Sequence, residues 1–334
     1  MNDGQYDQRK CELCGNLIPV HISKKGYKES PSNYAKRKYC SNACRLNALR
    51  NKRKKKEELT EENYYSTKMD MKYVSASQYK LFFNPYKNCC EAAALAQVKG
   101  EIERPVTDSL LIGSYVDEAL TGDLEKFTAE HPELFSTRGD TKGELKSTYK
   151  QAEKMLTRAK ADALFMSYVV GGKHQVIMTG VVENVPVKIK IDHVAYKNGK
   201  PVAIVDLKTV KSMYETFWVK DSGEHLTWPE RWLYDLQLGL YQEVYRQNTG
   251  LTLPCYLAAI SKDKTENVAH PRLKIIQIPQ IKMDERMTEF RRNVPKIQAL
   301  KEGKMQPINC GTCDYCADTL PCEVISMDEL RLEV

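Results

Sequence analysis

The stretch "KPVAIVDLKTVKS", residues 200–212, constrains the fold more than any other part of the chain. Its run "VAIVDL" is almost continuously apolar, which marks a central strand covered on both faces and so calls for helices on either side of a sheet. Two segments before it, "HQVIMTGVV" and "VKIKIDHVAY", have strand periodicity, and the turns "ENVP" and "KNGK" connect the three, the second with an Asn-Gly signal. A three-stranded meander is predicted over residues 174–210. "VKIKI" alternates apolar and basic residues, so its strand is expected to turn one face to solvent. "PCYLAAIS" and "LKIIQIP" read as further strands. Helices are predicted over "SLLIGSYVDEALTG", "GELKSTYKQAEKMLTRAKADALFMSYV", "RWLYDLQLGLYQEVYRQNTG" and "MDERMTEFRRNVPKIQALKEG". The expected class is α/β, a mixed central sheet flanked by helices.

A buried strand does not carry Asp206 and Lys208 without cost, because unpaired buried charge is strongly unfavourable. At positions i and i+2 of a strand both side chains emerge on one face. Asp192 lies near the end of the preceding strand, and antiparallel pairing through a short turn brings its carboxylate beside Asp206. Two like charges a few Å apart call for a cation, and hard oxygen ligands favour Mg²⁺ or Mn²⁺. Lys208 would then stand beside the metal-bound water. On D-x-K alone, a salt bridge at a solvent-facing strand end accounts for the same residues.

Charge and cysteines divide the chain. Residues 1–56 carry 15 Lys or Arg against 4 Asp or Glu, whereas the remainder is slightly acidic, so a basic arm suited to a polyanion precedes the body. Within that arm Cys11 and Cys14 form C-x2-C, and Cys40 and Cys44 form C-x3-C, four thiolates that can close a tetrahedral Zn²⁺ site. The second pair runs into a helix-compatible stretch, as in the treble-clef fingers this unit resembles, and that helix would display its arginines and lysines outward for phosphate contacts. Residues 57–72 read as a polar linker, and the main domain is expected over 73–334. A second cluster holds Cys310, Cys313 and Cys316, with Cys89, Cys90 and Cys322 as candidates for a fourth ligand. Cys255 in "LPCYLAAI" reads as a buried strand cysteine rather than a nucleophile. No apolar run reaches the roughly 18 residues of a membrane span and the N-terminus lacks a signal-peptide core, so a cytoplasmic protein without membrane contact is expected.

"IKIDHV" followed by "IVDLKTV" resembles the PD-(D/E)xK nuclease superfamily, through Asp192, Asp206 and Lys208. "GSYVDEAL" adds G-x3-D at Gly113 and Asp117, with Glu118 as an alternative acid, and "YDLQLGLYQEVY" adds Q-x3-Y at Gln237 and Tyr241. These motifs, in this order, resemble the RecB-like branch and in particular the phage and prophage exonucleases akin to exodeoxyribonuclease VIII, over residues 75–330. The resemblance implies a restriction-endonuclease-like core in which Asp117, Asp192, Asp206 and the Leu207 carbonyl hold Mg²⁺ while Lys208 assists the attacking water. Gln237 and Tyr241, one turn apart on one helix face, would bond a phosphate or orient Lys208. It implies a [4Fe-4S] cluster held by one cysteine before the core and three after it, Cys90 with Cys310, Cys313 and Cys316; sulfur ligation suits Zn²⁺ equally. It further implies 5′ to 3′ resection of linear double-stranded DNA from its ends in a bacterial or phage-infected cell, a single-strand annealing recombination protein as partner, and a homo-oligomer. Relatives with His in the first helix differ from Gly113-x3-Asp117 here, which leaves one or two metal ions open. The alternatives are a structure-specific or single-strand endonuclease resembling the CRISPR adaptation nucleases, and a non-catalytic DNA-binding protein.

Overall fold

The computed structural model describes residues 6–103, 106–219, 223–265 and 268–327, and the chain forms two compact units, Met1–Thr60 and Glu61–Val334. Among the described residues the core of the smaller unit is Cys11, Ile18 and Tyr34, with Tyr6, Val20, Tyr39, Cys40 and Cys44 packed against it. So small an apolar core offsets little of the entropy of ordering the chain, and four gathered cysteines could supply the rest by holding a metal. Its second cysteine pair leads into a helix at Asn42–Glu57. The side chains of residues 50–57, on which the expected outward display of charge rests, lie outside the described residues.

The larger unit is built on a five-stranded sheet of β1 (Gly172–Val182), β2 (Val185–Lys197), β3 (Lys200–Val210), β4 (Cys255–Ser261) and β5 (Leu273–Gln277), in that spatial order. The first three strands are the expected antiparallel meander. Glu183 and Asn184 in one turn, and Asn198 and Gly199 in the other, all have positive φ, as two-residue hairpin loops that follow the strand twist require. β4 runs parallel to β3, so the chain must cross over between them, and it does so through a helix at Tyr234–Thr249.

Period-two alternation on β3 and β4 feeds two cores. Ile204, Leu257 and Ala259 enter one, with Leu236, Leu240 and Phe290, whereas Val205, Ala258 and Ile260 enter the other, with Ile112, Met155 and Phe165. Helices α1 (Thr67–Lys72), α2 (Ala76–Phe82), α3 (Glu91–Val98), α7 (Tyr234–Thr249) and α8 (Gln280–Lys301) belong to the first side; α4 (Asp108–Thr121), α5 (Ser147–Lys160) and α6 (Ala163–Val169) cover the second. The continuous run expected between 144 and 169 is two helices, because the Asp162 side chain accepts from the Phe165 N–H at 3.0 Å and starts a new one.

Two expectations are corrected. The supposed linker is structure from Glu61 onward: Tyr64, Met69 and Asp70 are buried, and Val74 pairs with β2 at Val187. That segment covers the face of β2 expected to be solvated. Lys188 is 1 % exposed, its Nζ 2.7 Å from Asp70 Oδ1 and bonded to the Tyr64 carbonyl, and Lys190 pairs with Glu61 at 3.2 Å. Gln78 and Lys301 complete the network, the Lys301 ammonium donating to the Asp70 and Tyr73 carbonyls. The alternation was real, but the basic face meets buried carboxylate and carbonyl groups rather than water. Replacing Lys188 with Ala removes the cation paired with the buried Asp70 carboxylate and leaves it the Gln78 amide, and urea unfolding should show a loss of about 3–5 kcal/mol; a loss below about 1 kcal/mol would mean that water already reaches this network.

Candidate active site

β2 and β3 separate at the site. Their ladder ends at His193 opposite Val205, and β3 continues alongside β4 alone. Asp192 and Asp206 are the next facing pair beyond that last rung, so the fork sets two carboxylates where hydrogen-bonded strands would otherwise continue. The Leu207 N–H, freed from the ladder with β2, donates to Asp192 Oδ2 at 3.1 Å. Lys208 stands between the acids, its Nζ 2.5 Å from Asp206 Oδ2, 3.7 Å from Asp192 Oδ2 and 3.2 Å from the Leu207 carbonyl.

Asp117 reaches the fork from α4. Gly113 on that helix faces β3 so closely that a Cβ there would lie 3.3 Å from Thr209 Oγ1, which accounts for a residue without a side chain. On the opposite side the β1–β2 ladder skips Gln175 and Asp192, and Gln175 takes a φ of 49°. That irregularity aims Gln175 Nε2 at Asp117 Oδ2, 2.8 Å away, while Thr121 Oγ1 donates to Oδ1 at 3.2 Å. Glu118 lines the same cleft, but its carboxylate accepts from the Asp123 N–H at 2.9 Å and finishes the helix. Asp117 is thus the acid held toward the fork.

The Q-x3-Y pair does something other than bond Lys208. Gln237 Nε2 donates to Asp206 Oδ1 at 2.9 Å and to the Tyr241 hydroxyl at 3.1 Å, and Gln237 Oε1 accepts from Lys80 Nζ at 3.1 Å. An ammonium can only donate and a carboxylate can only accept, so Lys80 and Asp206 together allow one orientation of the amide. Lys80 was not foreseen: on α2, far away in sequence, nothing in "SASQYKLFFN" distinguishes it. Burial, and then the Lys208 charge, push its pKa down to about 7, and its Nζ lies 4.9 Å from the Tyr234 ring, which Lys208 shares at 5.3 Å. Gln175 and Tyr234 were likewise missed.

Electrostatically the fork is short of positive charge. Burial raises the pKa of Asp192 well above the ordinary carboxylate value, and the neighbouring Asp206 raises it further; burial also raises Asp117. Burial acts against the Lys208 charge, but Asp206 and Asp192 outweigh it and its pKa is raised. Asp206 is fully buried, and its Oδ2 is held by the Lys208 ammonium. Three carboxylates and a carbonyl, gathered around one ammonium, supply the hard oxygen ligands that fit a divalent cation. Asp117, Asp192, Asp206 and Lys208 line one cleft of about 960 Å³.

Both cysteine tetrads close. Cys11, Cys14, Cys40 and Cys44 form one, and Cys90, Cys310, Cys313 and Cys316 the other, and in each the four sulfurs lie within 4.8 Å of one another. The aspartate oxygens are spread more widely around Lys208. Cys89 turns to the Asn84 carbonyl and Cys322 is exposed beside Glu323, so Cys90 is the fourth member. Four Zn–S bonds of about 2.3 Å put tetrahedral sulfurs about 3.8 Å apart, and the separations here include 3.5, 3.6 and 3.9 Å. A four-iron cluster sets a cube of iron and sulfide between its thiolates and needs them further apart, so this cage fits one ion and does not fit the expected [4Fe-4S] cluster. Cys255 is fully buried and its thiol is pushed up to about 12 by burial, which excludes a ready nucleophile.

The strand fork with its acid, its D-x-K and the helices on both faces define a PDDEXK-like domain. The chain belongs to the family described as "PDDEXK-like domain of unknown function (DUF3799)", whose model matches residues 75–319. It is similar to a crystal structure from Eubacterium rectale described as a "Putative exonuclease", at 38 % identity and a TM-score of 0.72, over 82 % of this chain and 98 % of that one. The structure of SSO0001 aligns at 13 % identity with a TM-score of 0.24, over 68 % of this chain and 91 % of its own, and carries no argument. No curated protein matches the sequence significantly. Among the described residues no helix is long and apolar enough to cross a membrane.

The raised acids give the site a pH signature. Folded Asp117 and Asp192 hold protons more tightly than the unfolded chain does, so their contribution to stability is full below about pH 4 and is lost as pH rises through their raised pKa values. A divalent ion competes with those protons. Millimolar Mg²⁺ should therefore raise the melting temperature more at about pH 8 than at about pH 5; an equal shift at both would mean that these carboxylates do not bind it.

Proposed function

We propose that this chain is a divalent-metal-dependent deoxyribonuclease that degrades linear double-stranded DNA from its ends, 5′ to 3′. The observation that carries this reading is the Asp192, Asp206 and Lys208 cluster at the strand fork of a PDDEXK-like domain; the name of the Eubacterium rectale relative supports the exonuclease mode. Asp192, Asp206 and the Leu207 carbonyl would hold Mg²⁺ or Mn²⁺, with Asp117 supplying a further carboxylate. When bound, the cation supplies Lewis-acid charge at the scissile phosphate and makes its water more acidic. Lys208, kept charged by the two acids, offers its ammonium to the attacking water and to the phosphate oxygens. Gln237, fixed by Lys80, keeps Asp206 Oδ1 engaged and leaves Oδ2 facing the cleft. Tyr241 restrains the same amide. An annealing protein that receives the exposed strand, a homo-oligomer that stays on its substrate, and a cytoplasmic setting complete the proposal.

Asp206→Asn and Lys208→Ala should each lower Mg²⁺-dependent DNA degradation by about 10²–10³-fold or more while leaving duplex binding in EDTA intact. Label on the 5′ end of a duplex should be released first, and a covalently closed circle should survive. Cutting of the circle would establish the endonuclease alternative, and wild-type protein without any Mg²⁺-dependent degradation would overturn the reading in favour of a binding protein.

Each cysteine tetrad is proposed to hold one zinc ion. Elemental analysis should find two zinc atoms per chain and no stoichiometric iron. Cys316→Ser should release one of them and lower the melting temperature of the larger unit, because Cys90 and Cys316 tie α3 to the C-terminal segment. Four irons per chain with a broad visible absorbance would refute the single-ion assignment.

A further inference from the structure

A second groove lies beside the hairpin that links β3 to α7. The hairpin pairs Thr216–Val219 with Glu224–Thr227, and Trp228–Arg231 follows as a short helix set by a Thr227/Glu230 capping box. Tyr86, Lys87, Trp218 and Arg231 line a cavity of about 380 Å³, room for one nucleotide. Trp218 is 57 % exposed and Trp232 40 %, although burying such rings is among the largest apolar gains a protein can make. Cations lie beside Trp232 and its neighbours: Lys87 Nζ is 4.9 Å from the Trp232 ring, and the Arg231 guanidinium is 5.5–6.0 Å from Trp232, Tyr86 and Phe217, while Trp218 meets the His225 ring at 5.0 Å.

Arg231 carries the argument. Its Nη1 is buried and takes no hydrogen-bond partner, which for a guanidinium donor is costly. Three aromatic rings hold the guanidinium at the cavity wall, where a ligand would meet its outer edge rather than the shielded Nη1. A guanidinium fixed in this way fits a phosphate, and an exposed indole at the same groove offers a base its flat face.

We infer that this groove binds an unpaired DNA strand, with a phosphate on Arg231 and Lys87 and a base stacked on Trp218. Duplex DNA is a poor fit, because its bases are already stacked and present no free face to an indole. The groove is joined to the fork by aromatic contacts: Lys208 Nζ is 5.3 Å from the Tyr234 ring, which meets Trp228 at 5.8 Å, and Trp228 Nε1 donates to the Met213 carbonyl at the base of the hairpin. A nuclease that consumes one strand of a duplex leaves the other unpaired, and an unpaired strand is what this groove's exposed indole and cations would hold. The inference rests on the proposed function only in taking DNA as the polymer.

The test is fluorescence anisotropy in EDTA, so that no hydrolysis is needed, with labelled oligothymidylate, an abasic strand of the same length and a blunt duplex. Trp218→Ala should weaken oligothymidylate binding at least about fivefold and leave the abasic strand and the duplex within about twofold. Arg231→Gln should weaken both single strands. Oligothymidylate affinity unchanged in both variants, or equal losses on strand and duplex, would overturn the groove. A wild-type protein that binds oligothymidylate through Trp218 yet never cuts DNA would instead sink the nuclease reading and leave this site standing.

Discussion

The ion pair between Lys208 and Asp206 occupies the point where β3 leaves β2, and the surrounding structure is arranged about it. A carboxylate with no exposure at a strand fork would be prohibitively costly alone, and a buried ammonium equally so. Each makes the other tolerable, and the Leu207 and Gln237 contacts take up the remaining polar capacity. Because β3 is covered on both faces, the Asp206 carboxylate cannot reach water by a small movement, whereas Lys208 keeps one side toward the cleft. The fork therefore stores a localised negative excess in a rigid frame, the arrangement in which preorganised charge acts most strongly on a reacting phosphate.

What could be read from the sequence was what depends on local spacing. Asp206 and Lys208 share a face because strand side chains alternate, Asp192 follows from a short turn, and Gln237 and Tyr241 are one helical turn apart. The two turns and the doubly covered β3 were visible for the same reason. Gln175 was hidden because its role depends on a positive φ in the middle of a strand, and Lys80 because it depends on α2 packing beside α7. The face of β2 was misjudged on Lys188, since a basic side chain at every second position looks the same whether water or a buried carboxylate lies opposite. Composition also misjudged residues 61–72, where a polar segment packs through Tyr64, Met69 and a buried Asp70.

The cysteines show a different limit. Ligand type and grouping were legible, but the size of the cage was not, and size distinguishes one ion from a four-iron cluster. Geometry also chose Cys90 over Cys89, adjacent residues that spacing cannot separate: Cys90 precedes α3 and points to Cys316, whereas Cys89 is taken up by the Asn84 carbonyl.

The same tetrad has a consequence for how the chain is made. Cys90 and Cys316 are 226 positions apart, so their closure restricts an unfolded loop that includes the whole sheet. By loop-closure entropy such a clasp is worth about 5 kcal/mol against the open chain. Its last three ligands follow the sheet, both cores and the fork along the chain, so those parts can form before the ligands appear. A metal bound there would act as a latch fitted after assembly, and protein made without it would keep its sheet and fork while Cys90 and the later cysteines stayed unfastened.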